Sequence, residues 1–365
     1  MTTRKLSFVG VLTALTCLLV PPAVRPAGAQ AAPAQAPAAS PAPAQAPAPA
    51  PSSAPAATPA QKSPLAAAAA AAARPATPSV IKKPFLWRIE GPVPSYLYGT
   101  IHVPDAQVTN LPSAVDEAFK SSAAVFTEIP MDAALQISMM SKMMLPGDQN
   151  LREVLGPELF TRLSDTIQRS LPKDSPGPLG AAMTAMLGRM KPWAAMMQLT
   201  IIEFLPEMMA GNKALDTMLF DRAKSDGKET GGLETIDEQL AIFDALTMDE
   251  QVRMLKITLD TMDEAHKAGR SASRELIDGY VSGDLDKLAA MSNDSMKGEP
   301  ELQKKFMARA LDGRNLVMVD RLLAKRAERP TKTCFFAVGT LHYAGAEGIL
   351  ALLEKKGLKV TRVVP

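Results

Sequence analysis

Apolar residues form short alternating runs at both ends of the region that begins at residue 85, and they recur at helical spacing between those ends. The runs FLWRIE (85–90) and SYLYGTIHV (95–103), separated by a Gly-Pro pair, predict two strands in a hairpin-like arrangement. A helix is predicted from Pro112, followed by a strand in AAVFTEI (123–129). The order strand, helix, strand predicts a βαβ unit whose two strands are parallel.

The C-terminal region repeats this plan. The run TCFFAVGTLH (333–342) predicts a strand, EGILALLEKK (347–356) predicts a helix that ends at Gly357, and LKVTRVV (358–364) predicts a second strand. The sequence therefore predicts an α/β fold with a mostly parallel central sheet, built from two βαβ-like halves at the two ends of the domain.

The region between the halves, residues 130–330, is predicted to be mainly helical, a large insertion between the two ends of the sheet. One strand is expected in ETGGLE (229–234). Apolar residues at three- and four-residue spacing predict helices over residues 237–246, 248–269, 273–283 and 301–327.

Residues 1–29 have the pattern of a cleavable signal peptide: two basic residues, an apolar run (6–20) and small residues at 27–29 where a peptidase would cut. The run is short for a membrane span, which needs about 20 apolar residues. A lipid anchor on Cys17 is the less favoured alternative, because the preceding ALT lacks a small residue before the cysteine. The leader predicts a secreted or periplasmic protein.

Residues 30–80 are almost wholly Ala and Pro, which predicts an extended, mobile linker without a core. The chain carries a net charge of +2, and residues 1–80 contain five basic and no acidic residues, which leaves −3 for the predicted domain at 81–365. A mildly acidic domain is a poor nucleic-acid binder. The leader and linker offer a route to association with the membrane or envelope.

Two of the three histidines occur in the same four-residue context, GTIH (99–102) and GTLH (339–342). Parallel strands end on the same side of a sheet, where open α/β sheets usually bind ligands. His102 and His342 are therefore expected to meet at one edge if their strands are neighbours. Glu128, at the end of another predicted strand, is expected at the same edge.

The residues before each histidine suit such an edge. Gly99 and Gly339 let the backbone turn sharply and allow close approach of another chain or a ligand. Thr100 and Thr340 each supply a hydroxyl that can orient the histidine or a bound water.

Several segments together resemble the TraB/GumN family, which includes PrgY and the Tiki metalloproteases and is related to the erythromycin-esterase and ChaN-like folds. These segments are LYGTIHVP, FTEI, KPWA (191–194), ALDTMLFDRAKSDGKETGGLETIDEQLAIFDAL (214–246), GRN (313–315) and FFAVGTLHYAGAEGILALLEKKGLKVTRV (335–363). The resemblance covers residues 84–365. It implies the fold and, in the Tiki branch, a divalent-metal-dependent peptidase using manganese or cobalt. For GumN-like members it implies no particular substrate.

The chemistry of the residues is consistent with that implication. Two imidazoles and one carboxylate, His102, His342 and Glu128, form a three-ligand set typical of catalytic zinc sites and acceptable to manganese or cobalt. A structural ion pair between Glu128 and an arginine is the alternative, since an unpaired buried carboxylate is costly.

Further catalytic candidates lie in the helical middle. Glu234 is the candidate general base, although its surroundings also fit a helix start with acids that complement the dipole. Arg314 could hold a carboxylate or stabilise an oxyanion, with Asn315 as an extra donor; a surface role or a salt bridge is the alternative for both.

Two functions from different classes follow. The first is a metal-dependent hydrolase, a Tiki-like peptidase acting on a peptide or protein, with metal-independent acid/base catalysis as a variant. The second is a non-catalytic periplasmic ligand- or peptide-binding protein. HExxH and GxSxG motifs are absent. Cys334 is too far along its strand to pair with His342 and is interpreted as a buried thiol, and His266 as a solvated helix residue.

Overall fold

The computed structural model describes residues 79–364 except residues 132, 173, 174, 176, 294, 295 and 297. The predicted leader (1–29) and all but the last two residues of the predicted linker (30–80) lie outside the described residues and stay predictions. Over the described part of the chain, no helix combines the length and the apolar character needed to cross a membrane.

Six strands form one sheet, in the order β4-β3-β5-β2-β1-β6. Their bounds are β1 Leu86–Ile89, β2 Ser95–Thr100, β3 Ala124–Thr127, β4 Glu229–Gly232, β5 Cys334–Gly339 and β6 Val360–Arg362. The pairs β2–β5, β3–β5 and β3–β4 are parallel, whereas β1 runs antiparallel to both β2 and β6. The predicted mostly parallel sheet is confirmed.

Helices connect the strands and fill the middle of the chain. In chain order they are α1 Ala106–Thr109, α2 Ser113–Ser121, α3 Ala133–Met143, α4 Leu151–Ser170, α5 Leu179–Leu187, α6 Pro192–Ile201, α7 Leu205–Met209, α8 Leu215–Ser225, α9 Ile236–Asp244, α10 Met248–Lys267, α11 Ala272–Val281, α12 Leu285–Asn293, α13 Pro300–Met307, α14 Gly313–Ala327 and α15 Ile349–Lys355. Short 3₁₀ turns occupy Ile202–Phe204 and Thr340–Tyr343.

The two ends of the domain meet at the centre of the sheet. β2 from the N-terminal half pairs directly with β5 from the C-terminal half, with Thr100 opposite Gly339. β3 lies on the other side of β5, so the predicted βαβ unit of β2, α2 and β3 is parallel with one strand inserted between its members. β5 is buried along its whole length, as expected for a central strand covered on both faces.

The helical middle packs through apolar stripes, and α10 lies against α6 and α4. Thr235 and Thr247 begin α9 and α10 with reciprocal capping boxes, which fix where these helices start. The buried Trp193 of α6 stacks on Phe243 of α9 with ring centroids 5.0 Å apart. The predicted burial of Cys334 and exposure of His266 are both confirmed.

The predicted continuous helix over 301–327 is wrong in its middle. A π-helical turn at Ala308–Asp312 separates α13 from α14. The Ala310 carbonyl in this turn accepts a hydrogen bond from the side chain of Arg314 at 3.0 Å. Apolar periodicity does not distinguish such a turn from an α-helix, and π turns inside helices frequently occur at functional sites.

Gly99 lies where three chain segments approach closely. A β-carbon at this position would lie 2.8 Å from the β-carbon of Phe85 and 2.9 Å from the hydroxyl of Thr340. The Gly99 amide also donates to the Phe85 carbonyl at 2.7 Å, and its carbonyl accepts from Tyr280. The space between the GTIH and GTLH segments therefore admits only glycine.

We expect Gly99→Ala to destabilise the fold by about 1–3 kcal/mol, because neither the Phe85 β-carbon nor the hydrogen-bonded backbone can move away from the added methyl group. Urea unfolding measures the loss. Gly177→Ala is the matched control, since nothing lies within 4 Å of its added carbon. Equal stability of the two variants would contradict the close packing of the motifs.

Candidate functional site

The two GTxH histidines meet at the carboxyl edge of the sheet, as predicted. His102 follows the end of β2 by two residues, and His342 lies in the 3₁₀ turn after β5 rather than in the strand itself. The side chains are 4% and 0% exposed. The Thr340 hydroxyl donates to the Thr100 carbonyl at 2.9 Å, which joins the two motifs directly.

A carboxylate from the helical middle holds His102. Asp216, in the first turn of α8, lies 2.5 Å from His102 Nδ1 through Oδ2 and accepts the Thr100 hydroxyl at 2.6 Å through Oδ1. Burial works against the charged ring, but the Asp216 carboxylate outweighs it and raises the pKa of His102. Because the carboxylate can only accept, Nδ1 of His102 carries the proton in this bond.

An amide from the same region holds His342. Asn315 Oδ1 lies 2.6 Å from His342 Nδ1, while Asn315 Nδ2 donates to the Glu347 carbonyl at 2.8 Å. That carbonyl can only accept, so it fixes the amide orientation and makes Nδ1 the donor. Burial and, next, the Arg314 guanidinium lower the pKa of His342 to about 3, so the ring is neutral at neutral pH.

Nε2 of each ring consequently has no hydrogen-bond partner in the described part of the chain. His102 Nε2 and His342 Nε2 are buried and accept no hydrogen bond from any described residue. His342 Nε2 lies 3.9 Å from Glu128 Oε1. Buried polar atoms normally find partners, so these two ring nitrogens are available to bind a ligand.

Glu128 lies at the centre of the edge and is 0% exposed. Its Oε1 accepts the Gly339 amide at 2.7 Å, and its Oε2 accepts Arg314 Nη2 at 2.6 Å and Gln239 Nε2 at 2.8 Å. Burial opposes ionisation of this carboxyl, but Arg314, the two histidines and the Gly339 amide together hold the pKa of Glu128 at about 2. Glu128 is therefore anionic.

Arg314 links Glu128 to a second buried carboxylate. Its Nη2 and Nε donate to Glu234 at 2.6 and 3.0 Å, and the Glu234 amide donates to the Glu128 carbonyl at 2.7 Å. Burial raises the pKa of Glu234 despite the guanidinium, whereas the two carboxylates raise the pKa of Arg314. One guanidinium thus serves two carboxylates whose pKa values move in opposite directions.

The structure gathers all the sequence-predicted site residues at this edge: His102, Glu128, Glu234, Arg314, Asn315, His342 and the Gly and Thr residues 99, 100, 339 and 340. Sequence reasoning missed Asp216 and Gln239. Asp216 lies in the quoted segment ALDTML as the second residue of α8, where an acid looks like a dipole complement. The structural ion pair considered for Glu128 is present, with Arg314 as its partner.

The atoms at this edge include the kinds that bind divalent metal ions. Within the described residues, no group of three or more His, Cys, Asp or Glu side chains has the arrangement of a metal site. Two unpartnered imidazole nitrogens and an adjacent carboxylate, whose Oε1 retains a lone pair beyond the Gly339 bond, nevertheless match the atoms that hold zinc, manganese or cobalt. The side chains at this edge are therefore of the chemical types that bind a divalent ion.

A cavity of about 460 Å³ adjoins this network on the Glu234 and Arg314 side. It lies between α9 and the segment that runs from the π turn into α14. Its lining consists of Glu234, Glu238, Ala241, Ile242, Ala245, Ala308, Arg309, Gly313, Arg314 and Val317. The lining combines small and apolar side chains with four charged ones, of which Glu234 and Arg314 are buried and Glu238 and Arg309 are exposed.

Comparison with known proteins gives a consistent result. A sequence model described as the TraB/PrgY/gumN family matches residues 85–362, which confirms the resemblance found in the motifs. The chain is 29% identical over 319 residues to "Metalloprotease TIKI1" of Danio rerio, covering 79% of this chain and 64% of that protein. It is 27% identical to "Metalloprotease TIKI homolog" of Nematostella vectensis (80% and 69%) and 28% to "Metalloprotease TIKI1" of Homo sapiens (76% and 61%). The chain thus spans about two thirds of these relatives' lengths. No solved structure matches.

We expect Arg314→Ala to lower the free energy of unfolding by about 3–5 kcal/mol, because it leaves two buried carboxylates without their cation. Arg321→Ala is the control: Arg321 pairs with the half-exposed Glu238, and its loss should cost less than about 1 kcal/mol. Urea denaturation compares the two variants. A similar small loss in both would show that the buried network does not hold the site together.

Proposed function

This chain belongs to the TraB/PrgY/gumN family, and we propose on that premise that it is a metal-dependent hydrolase that acts as a peptidase. The observation that carries the proposal is the pair of buried Nε2 atoms, on His102 and His342, that lack any partner among the described residues. The relatives named metalloproteases support the reaction class.

The proposed ligands of the ion are His102 and His342 through Nε2 and Glu128 through Oε1. Neutral imidazole is the form that binds metal, and the low pKa of His342 keeps that ring neutral. Asp216 raises the pKa of His102, so this ring would give up its Nε2 proton when the ion binds. The anionic Glu128 supplies negative charge beside both rings. Manganese, cobalt and zinc all accept such a set of two nitrogens and one carboxylate oxygen.

The chain's own groups would supply the remaining chemistry. A divalent ion, when bound, lowers the pKa of a coordinated water toward neutrality and polarises a carbonyl. Glu234, whose carboxyl group holds a proton more readily than usual, is the proposed general base. Arg314, beside Glu128, is the proposed stabiliser of negative charge on a substrate oxygen. Asn315 orients His342 and donates one Nδ2–H to the Glu347 carbonyl, so only its second N–H would be an extra donor.

The proposed substrate is a peptide or protein segment that binds in the cavity between α9 and α14. Its small residues Ala241 and Ala245 leave room for an extended chain, and its lining includes Glu234 and Arg314. A bound peptide would therefore lead directly to the proposed general base.

The proposed location is the periplasm or the exterior, with the leader and the Ala/Pro segment as the link to the envelope. Support comes from the signal-peptide pattern of residues 1–29 and the composition of residues 30–80. Neither segment belongs to the region matched by the family model.

The alternative function is a non-catalytic binding protein of the same fold. One observation favours it: both oxygens of Glu128 already accept hydrogen bonds, so the carboxylate can serve a purely structural network. Such a protein would bind a peptide in the cavity without hydrolysing it.

We expect the purified protein to bind one equivalent of Co²⁺ or Mn²⁺, measured by calorimetry and elemental analysis, because two imidazoles and one carboxylate converge. The His102→Ala/His342→Ala double variant should lose that binding, whereas His266→Ala, at an exposed helix position, should retain it. Undiminished binding in a folded double variant would contradict the site, and absence of binding in the wild type would contradict metal dependence.

Peptide hydrolysis should stop after chelation and return when Co²⁺ is added, as a peptide library read by mass spectrometry would show.

We expect Ala245→Trp to raise KM roughly tenfold or more, a loss of at least about 1.4 kcal/mol of binding, with kcat little changed, because the indole fills the cavity. Ala268→Trp, another exposed alanine outside the cavity, is the control. Equal KM values in both variants would exclude the cavity as the substrate site.

A further inference from the structure

The two GTxH histidines have the same motif but different anchors. Nδ1 of His102 is held by the carboxylate of Asp216, and Nδ1 of His342 is held by the amide of Asn315. Neither anchor belongs to a GTxH motif or to the sheet. Both come from the helical middle, one from the first turn of α8 and one from α14 just after the π turn.

We propose that Asp216 and Asn315 are positioning residues that hold both imidazoles with Nδ1 protonated and Nε2 free, and that the Asp216 carboxylate makes His102 the stronger metal ligand. The proposal rests on the proposed function for the ion, but the anchoring itself is independent of any ligand. The two histidines would then contribute unequally to metal binding, although their motifs are nearly identical.

The geometry around Asp216 allows one arrangement of the His102 ring. Asp216 is 0% exposed, and its two oxygens have separate partners, His102 on one and the Thr100 hydroxyl on the other. Thr100 and His102 belong to the same GTIH segment, so the carboxylate holds the segment at two points. The ring can therefore neither rotate nor exchange its protonated nitrogen without breaking a buried charged hydrogen bond.

The choice of a carboxylate at this position has a cost that a structural role does not explain. Burying a charge is unfavourable unless a partner compensates it, and an amide of the same shape would satisfy Thr100 and His102 at lower cost. Asn315 shows that the fold uses an amide for the equivalent task on His342. A carboxylate on the far side of an imidazole increases the basicity of the nitrogen that binds a metal.

The fixed orientation of Asn315 explains why the second anchor is neutral. Its Nδ2 donates to the Glu347 carbonyl, which would face a carboxylate oxygen with repulsion if the residue were an aspartate. Glu128 and Arg314 also lie beside His342 and already determine the local charge. His342 thus receives an anchor that orients the ring without adding charge.

Calorimetric titration with Co²⁺ tests whether the Asp216 carboxylate strengthens metal binding through His102. We expect Asp216→Asn, which keeps the shape and removes the charge, to weaken Co²⁺ binding about 10-fold, and Asp216→Ala about 100-fold. Asn315→Ala should weaken it less than Asp216→Ala, and His266→Ala should leave it unchanged. Equal affinity of Asp216→Asn and wild type would overturn the role of the carboxylate charge.

Nitrogen NMR of the histidine rings in the metal-free protein tests the anchoring separately. Three histidines make assignment by single substitution direct. Wild type and Asp216→Asn should both show the Nδ1-protonated form of His102, whereas Asp216→Ala should show a mixture of tautomers. An unchanged ring signal in Asp216→Ala would overturn the positioning role.

The two experiments separate the possible failures. If the wild type binds no Co²⁺, the proposed metal function fails while the NMR experiment still decides the anchoring. If Co²⁺ binds but neither the tautomers nor the affinities change in the Asp216 variants, the proposed function stands and the inference about the anchors fails. Circular dichroism of each variant confirms that it is folded.

Discussion

A carboxylate removed from water must be compensated, and the fully buried Glu128 imposes that requirement on the whole sheet edge. Its compensation comes from a backbone amide of β5, a guanidinium of α14 and an amide side chain of α9. Each donor belongs to a different part of the chain, so the charge connects the C-terminal strand and the helical middle to the end of β3. Removal of any donor would leave an unsatisfied group inside the protein.

The parallel pairing of β2 and β5 adds the second element of the site. Because their registers align Thr100 with Gly339, both GTxH segments leave the sheet at the same edge, where His342 Nε2 lies 3.9 Å from Glu128 Oε1. The helical middle then supplies what the sheet lacks: Asp216 and Asn315 hold the outer nitrogens of the rings. The Nε2 nitrogens have no partner among the described residues, and our proposal assigns them to a divalent ion.

Much of this arrangement follows from sequence pattern because its determinants are local and repeated. The identical flanks of His102 and His342, at the ends of predicted parallel strands, predicted their meeting. The anchors could not be predicted in this way, since Asp216 looks like an ordinary first-turn acid and its contact with His102 spans 114 residues. The π turn before Arg314 could not be predicted either, because the spacing of apolar residues is the same on either side of it.

X-ray absorption at the cobalt edge of the Co²⁺-loaded protein tests the central claim most directly, because it reports the atoms bound to the ion. Our account predicts the scattering pattern of two imidazole rings together with oxygen ligands, and loss of the imidazole contribution in a folded His102→Gln/His342→Gln variant. A shell of oxygen ligands alone, or the same spectrum in the variant, would contradict it.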